Sequence, residues 1–248
     1  MRGRDASKKT TGGFAATAMV LALWLAVSGS GLAEPRPVHE LRVLADRGNA
    51  GAQYQLAKLL AEGKDVQRDR QVAYRWLSRS AGQGYSPPQL AMGELYTVGG
   101  GFVPVDWAQA DAWYEKAAKK GNLEAMARHA GMLASGLGGR LDPKEGAAWM
   151  EKAYLRGHRV AMMNYGAMLM EGYGVARDVA RAKELLAPFA SGGVPGAAAG
   201  DTAGDAVGQA NALLTLARMH EKGWDGEADP EKAMRHYYRA AERGSAHA

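Results

Sequence analysis

Hydrophobic residues recur along this chain with a period of about 36 residues, which is the spacing of a repeated helical unit. In each unit, two large side chains stand seven and four positions before a glycine, and a very small residue follows the first of them. The large pairs are Leu56/Leu59, Met92/Leu95, His129/Met132, Tyr165/Met168 and Leu216/Met219, and the small residues are Ala57, Gly93, Ala130, Gly166 and Ala217. The spacing predicts one amphipathic helix per unit. The small residue predicts a neighbouring helix that approaches closely.

A second helix is predicted in each unit, with a marked beginning and end. It opens with an Asp, has a small residue four positions later and closes on a glycine. The opening residues are Asp69, Asp106, Asp142, Asp178 and Asp229, and the bulky pairs inside are Trp76/Leu77, Trp113/Tyr114, Trp149/Met150, Leu185/Leu186 and His236/Tyr237. A carboxylate at this position accepts hydrogen bonds from the free N–H groups of a helix start. We therefore expect five antiparallel helix pairs, each with an Asp N-cap on its second helix.

Stacked helix pairs with this period predict an all-α solenoid. The pattern places repeats 1–4 at residues 49–193, and repeat 5 with a short tail at residues 209–248. Residues 34–48 contain a lone segment that resembles a second helix, and we expect it to cap the N-terminal end of the stack. The last helix has no such cap in the sequence, so Tyr237 and Tyr238 are expected to be exposed or covered by a partner.

Residues 194–208 interrupt the period between repeats 4 and 5. The segment VPGAAAGDTAGDAVG contains only small or polar residues besides its two valines and its proline. It predicts a flexible surface loop, because it cannot bury enough apolar area to offset the entropy of ordering. Pro188 is expected to kink the preceding helix or end it early. Two interpretations follow: a hinge or docking loop that loosens repeat 5, or a neutral loop over a packed interface.

The first 33 residues have the three parts of an export signal. Arg2, Arg4, Lys8 and Lys9 form a basic start, Ala15 to Val27 form an apolar run, and Gly31 to Ala33 supply small residues for cleavage. We expect residues 1–33 to be removed and the protein to be periplasmic or secreted. Retention of the apolar run as an anchor is the alternative. Because no second apolar stretch follows, we predict no membrane span in the mature chain.

Composition and motifs narrow the possible chemistry. The chain has no Cys, which excludes disulfides, a thiol nucleophile and a thiolate metal site. The net charge is +5, but the predicted signal carries about +3 of it, so the remainder does not favour nucleic-acid binding. Phosphate-binding, serine-hydrolase and zinc-protease motifs are missing from the sequence. We therefore predict no catalytic, metal or cofactor-binding residues and no cofactor.

Two stretches carry a more specific pattern. Asp106–Gly121 contains Ala110, Trp113, Tyr114, Lys116, Ala117 and Ala118 in register, and Glu171–Val175 with Asp178 has the matching loop. This pattern resembles the Sel1-like repeat family, which is related to the tetratricopeptide repeats. The resemblance covers about Val38 to Gly244. It implies a right-handed α-solenoid of about five helix pairs and an adaptor role, in some members in envelope assembly or polysaccharide export.

Polar residues of the first helices form a candidate partner-binding face. They stand eight or five positions before the closing glycines: Gln55, Lys58, Glu94, Arg128, Asn164, Thr215 and Arg218. In solenoids of helix pairs, the concave side is where extended ligands usually bind. We expect a non-enzymatic exported scaffold that binds a peptide or protein partner, such as an envelope assembly component.

Two other functions are kept as alternatives. The resemblance extends to Sel1-like proteins associated with penicillin binding and weak β-lactamase activity, although their cysteines and a serine-lysine pair are missing here. The second alternative is a glycan-binding export scaffold, in which Trp107 and Trp224 would stack on sugars because they lie in or beside loops. Trp76, Trp113 and Trp149 share one repeat position and are expected to belong to the core.

Overall fold

The computed structural model describes residues 38–191 and 202–245, and all of its named elements are helices. They are α1 (Val38–Asp46), α2 (Ala50–Glu62), α3 (Arg70–Gly82), α4 (Ser86–Val98), α5 (Trp107–Lys119), α6 (Leu123–Ser135), α7 (Pro143–Leu155), α8 (Arg159–Glu171), α9 (Val179–Ser191), α10 (Thr202–Lys222) and α11 (Pro230–Ser245). The predicted signal, residues 1–33, lies outside the described residues.

Consecutive helices pack in pairs along the stack. The pairs α2/α3, α4/α5, α6/α7, α8/α9 and α10/α11 are the five predicted repeats, and each second helix also contacts the first helix of the next pair. The helix within the predicted capping segment 34–48 is α1, which packs against α2. Its Leu41 and Ala45 are buried in one cluster with Leu56 of α2 and Ala73 of α3. The all-α solenoid expected from the sequence is therefore confirmed.

The five Asp residues predicted as N-caps all have that role. In each case a carboxylate oxygen accepts a hydrogen bond of 2.9 Å from the backbone N–H three residues later. The donors are the N–H groups of Val72, Gln109, Glu145, Arg181 and Lys232. Each cap stabilises its helix by about 1 kcal/mol. Local sequence thus determines where each second helix begins.

The very small residue in each first helix lies where another helix approaches closely. A β-carbon at Gly166 would lie 3.1 Å from Leu186 Cγ, and one at Gly93 would overlap the Tyr114 ring. Ala130 and Ala217 are fully buried at the same position. The close approach predicted from the sequence is confirmed.

Repeats 4 and 5 share a continuous hydrophobic core. One cluster of buried side chains extends from Ala117 in α5 to Met219 in α10, and it includes Leu186 and Phe189 of α9. Pro188 lies inside α9, which continues to Ser191 and is not ended early. Burial of the neighbouring leucine and phenylalanine offsets the hydrogen bond that the proline cannot donate. The junction is packed, which favours the neutral-loop interpretation over the hinge.

The expectation that residues 194–208 form a loop is wrong for residues 202–208. Helix α10 begins at Thr202, so residues 202–208 form its first turns, while residues 194–201 lie outside the described residues. At Gly208 the helix passes close to α9 and α8, because an added β-carbon would lie 3.8 Å from Phe189 Cδ1 and 3.9 Å from Met163 Sδ. Helix α10 thus runs through a glycine-rich sequence of low helix preference, and at Gly208 it lies close to repeat 4.

Candidate functional site

The structure exposes most of the predicted binding face. Gln55, Lys58, Glu94, Arg128 and Arg218 are exposed along α2, α4, α6 and α10, and Asn164 is half-buried. The prediction that Thr215 belongs to this face is wrong, because its side chain is only 5% exposed. Its hydroxyl donates to the Asn211 carbonyl at 2.9 Å, and its helix packs against both helices of repeat 4. The short side chain is therefore turned inward and covered.

The cations of this face differ in their partners. Arg128 Nε lies 2.7 Å from Glu124 Oε1, and Arg218 Nη1 lies 2.7 Å from Glu171 Oε1. Within residues 38–191 and 202–245, Lys58 forms no ion pair, and its ammonium lies 6.0 Å from the Tyr54 ring centroid. Lys58 is thus the lysine of this face whose charge is free for a ligand.

Lys58 stands at the edge of a groove between repeats 1 and 2. The groove has a volume of about 470 Å³ and lies between α2, α3, α4 and the loop that follows α4. Its lining combines small, aromatic and aliphatic side chains with cations: Tyr54, Ala57, Lys58, Ala61, Arg68, Arg70, Ala73, Tyr74, Leu77, Ala91, Leu95 and Phe102, together with Gly99 and Gly100. It is large enough for one or two side chains of an extended peptide.

The groove exists because repeat 1 carries smaller side chains than repeat 2 at two matching positions. In repeat 2, the Tyr114 ring is buried and its hydroxyl lies 2.9 Å from Thr97 Oγ1. The residues at the same repeat positions in repeat 1 are Leu77 and Ala61. They leave empty the volume that a ring and a hydroxyl occupy one repeat later. The sequence contained this signal, but it becomes interpretable only when the two side chains are known to face one another.

Aromatic side chains form one wall of the groove. The rings of Tyr74 and Phe102 meet edge to face with centroids 5.7 Å apart. The Tyr74 hydroxyl lies 3.1 Å from the Tyr96 hydroxyl, and this hydrogen bond, with burial, raises the pKa of Tyr96 to about 12. The hydrogen bond holds the Tyr74 ring in place, and Phe102 packs against that ring, so the two form a preformed apolar surface.

The charge of the groove is one-sided. Its lining contains the cations Lys58, Arg68 and Arg70 and no carboxylate. None of the three forms an ion pair within the part of the chain that the structure describes, although Arg68 Nε donates to the Ala61 carbonyl at 2.9 Å. Burial of Tyr54 raises its pKa, and the nearby negative charge of Glu94 raises it further. Glu94 itself does not line the groove. The site can therefore attract an anionic ligand with apolar side chains.

Two histidines, His129 and His158, have structural contacts. His129 is 2% exposed, and its Nδ1 lies 2.6 Å from Asp111 Oδ1. His158 caps α8 by accepting the Ala161 N–H at Nδ1, which leaves Nε2 to donate to Glu124 Oε2 at 3.0 Å. Among the described residues no three metal-binding side chains come together, and none of the helices is long and apolar enough to cross a membrane.

Four of the described tryptophans are part-buried, and each lies under a cation. Trp76, Trp113 and Trp149 each lie under the Lys or Arg three residues later, at 5.0, 4.1 and 4.8 Å. Trp224 is covered by Arg177 at 4.4 Å and packs on the main core, so it is not an open stacking surface. Trp107 is 38% exposed at the start of α5.

Comparison with solved structures finds the same architecture in other proteins. A protective antigen of uropathogenic Escherichia coli, described as displaying an SLR fold, is 28% identical with a TM-score of 0.65, over 84% of this chain and 41% of that one. The present chain thus spans well under half the length of that protein. A Sel1 repeat protein from Oxalobacter formigenes is 25% identical with a TM-score of 0.63, over 83% of this chain and 78% of that one. No curated protein sequence matches significantly.

The family model agrees with the helix pairs. The Sel1 repeat model matches residues 50–85, 89–122, 123–158, 159–194 and 210–245. Each match covers one helix pair from α2/α3 to α10/α11, except for the starts of α4 and α10, which begin at Ser86 and Thr202. The matched segments cover most of the chain and leave out residues 1–49 and 195–209. With five consecutive matches in register with its helices, this chain belongs to the Sel1 repeat family.

Proposed function

We propose that this protein is a non-enzymatic scaffold that binds an acidic, extended segment of a protein partner in the groove between repeats 1 and 2. Sel1 repeats in general mediate protein–protein interaction, which supports the class of function. The choice of site rests on the lining of the groove, where three cations that form no ion pair among the described residues lie beside an aromatic wall.

The chemistry of the groove defines the partner segment. Carboxylates of the segment pair with Lys58, Arg68 and Arg70, while a Leu or Phe side chain enters the space over Leu77. The segment continues along the exposed first-helix residues toward Arg128, which Glu124 already neutralises in part. Binding energy therefore concentrates at repeat 1, and the later repeats contribute orientation.

The proposed place of action is the periplasm or the outside of the cell. The basic start, apolar run and small residues of positions 1–33 support removal of a signal and action in the periplasm or outside the cell. The partner is then an envelope or secreted protein with an acidic segment. Fractionation that recovers the uncleaved chain in the cytosol would overturn the location without affecting the groove.

The test is peptide binding to the purified chain from residue 34 onward. The acidic probe is a fluorescein-labelled peptide of about ten residues with alternating Glu and Leu around a central Phe, and the basic probe has Lys in place of each Glu. We expect anisotropy to show binding of the acidic probe only, with affinity that falls as salt rises. Replacing Lys58, Arg68 and Arg70 by Gln removes about 1.5 kcal/mol, since each exposed pair contributes about 0.5, so affinity drops roughly tenfold.

A matched variant separates local from overall charge. Lys64→Gln, Arg75→Gln and Lys144→Gln remove the same charge from exposed positions outside the groove, and affinity should stay within about twofold of wild type. Equal loss in both triple variants would mean that only net charge matters, and the proposed site would be wrong. Equal binding of both probes to the wild type would contradict the acidic partner.

A further inference from the structure

The last helix of the described residues, α11, carries an exposed apolar face far along the stack from the groove of repeat 1. Met234 and Tyr238, one turn apart on α11, are 69% and 68% exposed. With Pro230, Glu231, Arg235 and Arg239 they line a shallow groove of about 710 Å³. Two large apolar side chains exposed side by side on one helix are a feature of interaction sites.

The repeat register shows what normally covers this face. Met234 directly follows the small residue Ala233, and the residue at that position contacts the next repeat in three of the four earlier repeats. The Tyr74 hydroxyl lies 3.1 Å from that of Tyr96, Asp111 Oδ1 lies 2.6 Å from His129 Nδ1, and Lys183 Nζ lies 2.9 Å from Asp225 Oδ2. Ala147 is 3% exposed at the same position. The face of α11 therefore corresponds to the surface on which each earlier repeat stacks against the next one.

We propose that this end face binds an acidic amphipathic helix of another protein, which stacks on α11 as a first helix stacks on the preceding repeat. Charge selects the partner. Arg235 is 70% exposed, and it contacts the 89% exposed Glu231 through a 3.5 Å ion pair and a 3.4 Å hydrogen bond from Nε to the Glu231 carbonyl. Arg239 lines the same groove, and its Nη2 donates to the Ala190 carbonyl at 2.8 Å. The junction between repeats 4 and 5 uses the same arrangement, with Lys183 facing an aspartate of the next repeat.

A second copy of this chain fits the face less well. Pairing α11 with itself would bring Arg235 and Arg239 of each copy together with only Glu231 of each copy, and the excess of positive charge opposes association. An acidic helix pairs with both arginines and covers the methionine and tyrosine at once. This site is separate from the groove of repeat 1, so either can be present without the other.

The experiment uses two fluorescein-labelled peptides of about 16 residues. Both carry the same stripe of Leu and Ala at first-helix spacing, with Glu at all polar positions in one and Lys in the other. We expect the wild-type chain to bind the Glu peptide at least tenfold more tightly. Met234→Glu should weaken this binding at least tenfold, and Arg235→Glu should reverse the preference toward the Lys peptide.

The control is Leu155→Glu, which changes an apolar side chain of 68% exposure on α7, away from the stacking position. It should leave binding unchanged. Equal affinity for the two peptides, or binding unaffected by Met234→Glu, would overturn the proposal. Sedimentation showing a dimer of the chain that Met234→Glu dissociates would also overturn it, because the occupant would then be a second copy.

Discussion

The ring of Tyr114 lies directly against the α-carbon of Gly93, so close that an added β-carbon would be 2.4 Å from Tyr114 Cε1. The ring is buried between α4 and α5. It fills in repeat 2 the space that is open in repeat 1, where Leu77 stands at the same position and lines the groove. One glycine thus permits one repeat to close, while the alanine at the same position in repeat 1, Ala57, accompanies a smaller leucine.

Replacing Gly93 by Ala should destabilise the protein. The added methyl group forces the buried ring to move, and such overpacking costs about 1–3 kcal/mol, more than the gain in helix propensity. Gly131→Ala is the matched control, because that glycine also lies within a helix and has nothing within 4 Å of an added β-carbon. It should stabilise the protein by up to about 1 kcal/mol.

Urea unfolding measures both changes. Combining Gly93→Ala with Tyr114→Leu reproduces the side chains of repeat 1, so the double variant should lose less stability than the sum of the two single variants, by about 1 kcal/mol or more. Additive losses would show that the ring and the glycine are not coupled, which would contradict the explanation of the groove.

The carboxylate of Glu124 should make stability depend on pH. Its hydrogen bonds with His158 and Arg128 lower the pKa of Glu124 from the ordinary 4.5 to about 2. Because the folded-state pKa is depressed, the stabilisation is complete above about pH 4.5 and is lost as pH falls toward about 2. The side chain is 37% exposed, so solvent screening reduces the contribution to about 1 kcal/mol.

Unfolding of Glu124→Gln between neutral and acid pH tests this contribution. The variant should be about 1 kcal/mol less stable than wild type at pH 7, and the difference should vanish near pH 2. Glu62→Gln, which alters an exposed carboxylate of α2, should show little difference at any pH. A constant deficit for Glu124→Gln down to pH 2 would mean that the side chain acts through packing and not through its charge.

Hydrogen exchange should show that repeat 5 is held to the rest of the stack. Leu216 and Met219 of α10 share the main core with Leu186 and Phe189 of α9, and Arg218 pairs with Glu171 across the junction. We expect the core amides of α10 to be protected to within about tenfold of those in α5. Exchange in α10 faster by a factor of about one hundred would support the hinge interpretation.

The sequence predicted the parts of this fold that depend on local chemistry. Asp69 and its four equivalents act as caps through their own carboxylates. Gly166 indicates a close helix approach because an added β-carbon would lie only 3.1 Å from Leu186 Cγ. Both features repeat at fixed spacing, so a single sequence reveals them. The prediction of five helix pairs followed from them.

Features that depend on a neighbour's size were not predictable in this way. Register placed Thr215 on the same side of its helix as Gln55, but the packing of α10 against repeat 4 covers it. The groove depends on Leu77 facing Ala61, a relation between two helices. Residues 202–208 belong to a helix despite their weak intrinsic helix preference, and at Gly208 this helix passes close to Phe189 and Met163 of repeat 4.

Filling the groove of repeat 1 should weaken binding of the acidic probe without removing any charge. The triple variant Ala57→Gly, Ala61→Thr and Leu77→Tyr gives repeat 1 the side chains that close repeat 2, and it leaves all three groove cations in place. We expect its affinity for the acidic Glu/Leu/Phe probe to fall at least tenfold, while its free energy of unfolding stays within about 1 kcal/mol of wild type. Unchanged affinity in a stable, filled variant would show that the groove is not the binding site.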